Sequence, residues 1–146
     1  MNDKVKAVEE LFKTGSVNCA QAVLSVYGKE LGLDSALGTR LASGFGAGMG
    51  RQGLICGAVS GAFLVLSLTY QINDPDAKEK VYSLIQDFTY RFKKRHGSIV
   101  CAELLGYDIS TSEGFAAVKE QKLTETICPN CVKDAAEILQ ELLETH

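Results

Sequence analysis

Residues 53–72, GLICGAVSGAFLVLSLTYQI, hold no charged side chain, and their reading decides the fold. The run has the length of a membrane span and places Gly57 and Gly61 in the small-xxx-small spacing of membrane helix pairs. It also carries Ser60, Ser67, Thr69 and Gln71, stands alone, and lies among amphipathic segments that each need an apolar partner. A central helix without a membrane, approached closely by its neighbours over Gly53, Gly57 and Gly61, is therefore expected.

The flanking segments have helical period and helical punctuation. Downstream, Asn73 and Asp74 read as a tight turn, with Asp74 as N-cap and Pro75 at the first helical position. Val81, Leu84, Ile85, Phe88 and Phe92 then form one stripe, and Arg91, Lys93, Lys94, Arg95 and His96 fall at the negative end of that helix dipole before Gly97. Ser98 is expected to cap a short helix ending at Gly106, and residues 107–124 read as a loop or short helix. Pro129 opens a last helix with Val132, Ala135, Ala136, Leu139, Leu142 and Leu143 at helical spacing. Upstream, Val5, Val8 and Phe12 mark a first helix. A second, with Ala20, Val23, Leu24, Tyr27 and Leu31 on one face, opens at Ser16 or Asn18 and closes at Gly32. Asp34 or Ser35 starts a third, which Gly44 ends. No alternating strand pattern, linker or repeat is present. The expectation is an all-α, compact helical bundle around a glycine-rich central helix, one domain over residues 1–146.

Residues 1–14 mix charges and lack the basic start and apolar run of a signal peptide, so a cytoplasmic chain is expected. In that compartment thiols stay reduced, and five cysteines are too odd a set for a disulfide framework. Metal ligation, thiol redox chemistry and plain burial remain. A net charge of −3 argues against nucleic acid as a partner, and no membrane span is expected. A redox partner and a homo-oligomer stay open.

Every cysteine falls in or beside the first turn of an expected helix, where free N–H groups favour thiolate over thiol. Cys19 opens the second helix, Cys56 lies about a turn into the central one, Cys101 follows Ser98 by three, and Cys128 and Cys131 flank Pro129 and Asn130. The central helix and the Pro75 helix have similar expected lengths, about 27–31 Å at a rise of about 1.5 Å per residue. A two-residue turn between them makes an antiparallel hairpin, which brings Cys101 to the end of the bundle that holds Cys56.

CPNC at residues 128–131 is the sharpest local motif. It suits dithiol exchange, although the strand and βαβ setting of the usual oxidoreductases is missing. It equally supplies half of a metal site. The histidines are only His96 and the terminal His146, so the remaining ligands would be cysteines, a donor set for zinc or an iron–sulfur cluster. Gly48, Gly50 and Gly53 spell GxGxxG, but SALGTRLAS before them reads as helix, which excludes a dinucleotide fold; Arg51 is the charged residue nearest Cys56.

Asn18-Cys19-Ala20-Gln21-Ala22-Val23, Cys56-Gly57-Ala58-Val59-Ser60-Gly61, Cys101-Ala102-Glu103-Leu104-Leu105-Gly106 and Cys128-Pro129 together resemble the C_GCAxxG_C_C family of proteins described as redox-active. The resemblance spans most of the chain and matches Cys19, Cys56, Cys101 and Cys128 to the family's four cysteines, with Cys131 as an addition. It implies a small prokaryotic redox or metal protein. A related module in a multi-domain cytochrome is associated with an iron–sulfur cluster, which tilts the implied centre toward a cluster. The expectation is thus a thiolate site of Cys19, Cys56, Cys101 and Cys128 holding an iron–sulfur cluster or zinc, for electron transfer or redox sensing, with Cys131 as a spare ligand or resolving thiol. Its rivals are a metal-free thiol–disulfide oxidoreductase using Cys128 and Cys131 and an interaction module with inert buried cysteines.

Overall fold

The computed structural model describes residues 3–71 and 73–145, so Ile72 and His146, which the sequence reading touches, lie outside the described residues. After α1 (Asp3–Lys13), which buries Val5 and Val8, the chain reaches Asn18. Its side chain accepts the Gln21 N–H at 2.8 Å while Gln21 Oε1 accepts the Asn18 N–H at 2.9 Å. This reciprocal capping starts α2 (Cys19–Glu30) and fixes Cys19 at its first position. Asp34 caps α3 (Ser35–Ala42), and a 3₁₀ turn (Ser43–Phe45) leads into the irregular turn α4 (Gly46–Met49).

The central helix α5 (Gly57–Ser67) is shorter than the sequence predicts. Gly53 has φ +72° and cannot belong to a right-handed helix, so residues 53–56 pair with the segment before Cys101 instead. The Cys56 N–H donates to Ile99 O at 2.8 Å, and the Cys101 N–H to Leu54 O at 2.5 Å. Ile55 and Val100 form an isolated antiparallel bridge. At the other end Ser67 Oγ and Thr69 Oγ1 donate to Phe63 O and Leu66 O, at 2.8 and 2.6 Å, giving the last turn's carbonyls a side-chain partner. The two-residue turn is also corrected: α6 (Ala77–His96) starts three residues after Asp74, whose carboxylate accepts the Asp76 N–H at 2.8 Å. The helices α5 and α6 thus run about 16 and 30 Å. Their predicted equality fails, but the bridge supplies what that argument needed, and the end of α6 returns beside Cys56.

Beyond α6, α7 (Cys101–Leu105) ends at left-handed Gly106, Thr111 caps α8 (Ser112–Glu120), and α9 (Leu123–Thr126) precedes α10 (Cys128–Glu144). Val100, not Ser98, stands at the cap of α7, and Ser98 Oγ accepts its N–H. The fold is all-α, as the periodicities predict. No helix among the described residues is long and apolar enough to cross a membrane.

The helices α2, α6 and α10 surround α5. Leu24, Tyr27, Val59, Leu66, Phe88, Phe92, Val132 and Leu139 are the centre of the main core. Gly61 lets α2 reach α5: a Cβ there would stand 2.9 Å from Ala20 Cα and O. A smaller apolar cluster joins Cys101, Leu105, Ile109 and Val118. The cysteines lie on the seam between the two clusters, with Cys56 and Cys131 in the first and Cys101 in the second.

Candidate functional site: a cavity lined by four thiols

Cys19, Cys56, Cys101 and Cys128 come from four separate segments and line one cavity of about 170 Å³. Cys56 is the N-cap of α5, not a turn into it, and its carbonyl accepts from Val59 N–H at 2.9 Å. Missing side chains permit the convergence. A Cβ on Gly57 would meet Cys19 Cβ at 3.1 Å, and one on Gly48 would meet Cys101 Cβ at 2.7 Å. Cys131 is buried one turn along α10 and stands against Cys56 rather than on the cavity.

The thiols are arranged in two hydrogen-bonded pairs. Cys19 S–H donates to Cys128, and Cys131 S–H donates to Cys56. In each pair the acceptor is pulled below the ordinary thiol range. For Cys56 the bond from Cys131 and the Ala58 and Val59 N–H groups outweigh burial; for Cys128 the bond from Cys19 does so. The donors move the other way: Cys19 through its bond to Cys128 and burial, Cys131 through its bond to Cys56, burial and the nearby Cys56, Cys128 and Asp134 charges. Burial pushes Cys101 up to about 12. The expectation that every helix start yields a thiolate is therefore corrected. The bond from Cys131 and, after it, the helix N–H groups lower Cys56, while desolvation dominates at Cys101.

This pairing gives both CPNC cysteines partners outside the motif. Cys128 and Cys131 lie on one helix, yet each thiol bonds a cysteine from elsewhere in the chain. His96 is engaged outside the cavity, with Nε2 2.7 Å from Asp134 Oδ2 and its ring stacked on Phe92.

Sequence reasoning missed the apolar lining that shares the cavity with the thiols. Phe12, Leu105, Ile109, Phe115 and Val118 form it, and three of these lie in the stretch read as loop or short helix. The signal was there: Thr111 Oγ1 accepts the Gly114 N–H at 3.0 Å as an N-cap, and Phe115 and Val118 follow at helical spacing. Arg51 reaches out over Phe115, 4.5 Å from the ring centre, instead of toward Cys56. The loop beneath is strained: Ala47, Met49 and Arg51 all have positive φ, between 53° and 65°. Such conformations cost on the order of 1 kcal/mol or more each for a residue with a Cβ. Here they turn the chain tightly enough to set Ala47 and Gly48 on the cavity.

Four thiols on an apolar cavity match in type the donors of zinc and of iron–sulfur clusters. A single tetrahedral ion needs its sulfurs about 2.3 Å from one point. Among the described residues no three His, Cys, Asp or Glu side chains make such a group. A cluster takes its thiolates at separate irons rather than at one point.

Fold and site together define a class: an all-α chain that gathers cysteines from separate helix starts onto one cavity. Residues 17–142 match the family model described as "Putative redox-active protein (C_GCAxxG_C_C)", and the chain belongs to that family. No curated protein and no solved structure matches it.

Proposed function

We propose that Cys19, Cys56, Cys101 and Cys128 hold an iron–sulfur cluster in this cavity, and that the protein exchanges electrons with a redox partner or senses redox state through it. The observation that carries the reading is the arrival of four thiols from four segments on one apolar cavity. When bound, the cluster supplies one-electron chemistry. The chain's residues do the rest. Cys56 and Cys128 are the readiest thiolates, each held by a partner's S–H, and Cys19 and Cys101 give up their protons on binding. Phe12, Leu105, Ile109, Phe115 and Val118 keep water from the sulfurs.

The test is anaerobic reconstitution with ferrous iron and sulfide. The wild type is expected to take on a broad visible absorption with iron and sulfide retained through desalting. Serine at Cys19, Cys56, Cys101 or Cys128 should each abolish or strongly reduce retention, while Cys131→Ser should keep it. Colourless protein retaining zinc, or retention indifferent to all four substitutions, would overturn the proposal.

A further inference from the structure

A cluster site of four thiols leaves Cys131 without a task, and its position supplies one. Cys131 is 2 % exposed and bonds Cys56, which the cavity exposes on its other side. Cys19 and Cys128 make an equivalent contact across α2 and α10. Cys101 belongs to neither pair and feels Cys56 and Cys128 only through their charge.

We propose that the metal-free protein closes two specific disulfides, Cys19–Cys128 and Cys56–Cys131, leaving Cys101 as the free thiol, and that this closure bars the cavity to a metal centre. Only the last clause rests on the cluster reading. The oxidant is a low-molecular-weight disulfide small enough to enter the cavity. A thiolate at Cys56 attacks one sulfur of the reagent, forming a mixed disulfide and releasing one small thiolate. Cys131 then attacks the Cys56 sulfur, the protein disulfide forms, and the second small thiolate leaves. The two protein protons end on the two released thiols, so two thiols are oxidised as one reagent disulfide is reduced. Cys128 and Cys19 react in the same way.

The division of labour follows from placement. Cys56 lines the cavity and Cys131 does not, so Cys56 meets the reagent; Cys19 and Cys128 both line it, and either can. Cys131 lies behind Cys56 and is positioned to resolve the mixed disulfide from the protein side. Once both bonds close, three of the four cavity cysteines are withdrawn, and a reducing dithiol restores them.

The experiment uses the full chain, stripped of metal with a chelator, treated with bis(2-hydroxyethyl) disulfide, alkylated and mapped by peptide mass spectrometry. Cys19–Cys128 and Cys56–Cys131 linkages with alkylated Cys101 are expected. A Cys128–Cys131 or Cys56–Cys101 linkage, or five alkylated cysteines, would overturn the inference. In Cys131→Ser, Cys19–Cys128 should form alone and Cys56 should carry mercaptoethanol as a stalled mixed disulfide; capture of Cys56 by another cysteine would contradict the fixed pairing. The oxidised wild type should lose iron uptake and regain it after dithiothreitol, and uptake by the mapped two-disulfide form would overturn the barrier. Mapping requires no metal, so its failure sinks this inference alone. Correct mapping with no iron uptake by the reduced chain sinks the cluster reading and the barrier that depends on it, and leaves the pairing intact.

Discussion

Two helix contacts bring cysteines to the cavity by opposite means. Between α2 and α5 the surfaces are small and apolar, with Ala20 seated on Gly57 and Gly61 so closely that a Cβ at either glycine would lie 2.9–3.2 Å from Ala20 backbone. Between α6 and α10, Phe88, Phe92, Ala135 and Leu139 are buried, but the rim is charged. Arg91 bonds Glu141 at 2.8 Å, Arg95 bonds Glu137 at 2.7 Å and Asp134 at 3.1 Å, and His96 meets Asp134 at 2.7 Å. The first contact is decided by shape and has no slack, because its closest atoms are backbone. The second is made of long side chains, each able to shift while the pair is kept. The difference teaches where the site's rigidity resides: Cys19 and Cys56 ride on the inflexible contact, and Cys128 and Cys131 ride on a helix steered partly by adjustable ion pairs.

The largest effect is expected at Gly61. Leucine there forces α2 away from α5, and overpacking costs about 1–3 kcal/mol. At roughly 3 °C per kcal/mol for a chain of this size, melting should fall by about 3–9 °C. Retention of the proposed centre should weaken with it, because Cys19 and Cys56 move apart. Unchanged melting would show that the glycine contact is not what holds the two helices. A smaller effect is expected at Arg95, whose side chain is 34 % exposed. Arg95→Ala should cost about 0.2–1 kcal/mol, shrinking as salt screens the pairs, with the site unaffected. A loss larger than that of Gly61→Leu, measured by denaturation in low and high salt, would invert the comparison.

The same contrast explains what the sequence makes legible. The stripes of α6 and α10 are readable because charged residues outline them, and Leu84, Phe88, Phe92, Val132, Ala135 and Leu139 are buried as their spacing predicts. Residues 53–72 carry no such outline, so the start of α5 at Gly57 could not be separated from Gly53 by periodicity. The bridge at Ile55 and Val100 is too short to leave an alternating pattern. Within 46–53, the glycines hide that Ala47, Met49 and Arg51 are left-handed too. For the site, helix caps and punctuation locate each cysteine to within a turn and place Cys101 at the Cys56 end. The pairing of Cys128 with Cys19 and of Cys131 with Cys56 depends on how α2, α5 and α10 pack in three dimensions. Spacing within CPNC carries no sign of those partners from α2 and α5.

Iron K-edge absorption fine structure on the anaerobically reconstituted protein tests the central claim most directly. The account predicts an all-sulfur first shell with an iron–iron scattering path, and loss of that path in Cys101→Ser, whose sulfur reaches the cavity from the smaller apolar cluster. A shell of oxygen or nitrogen without iron–iron scattering, the same in wild type and variant, would contradict it.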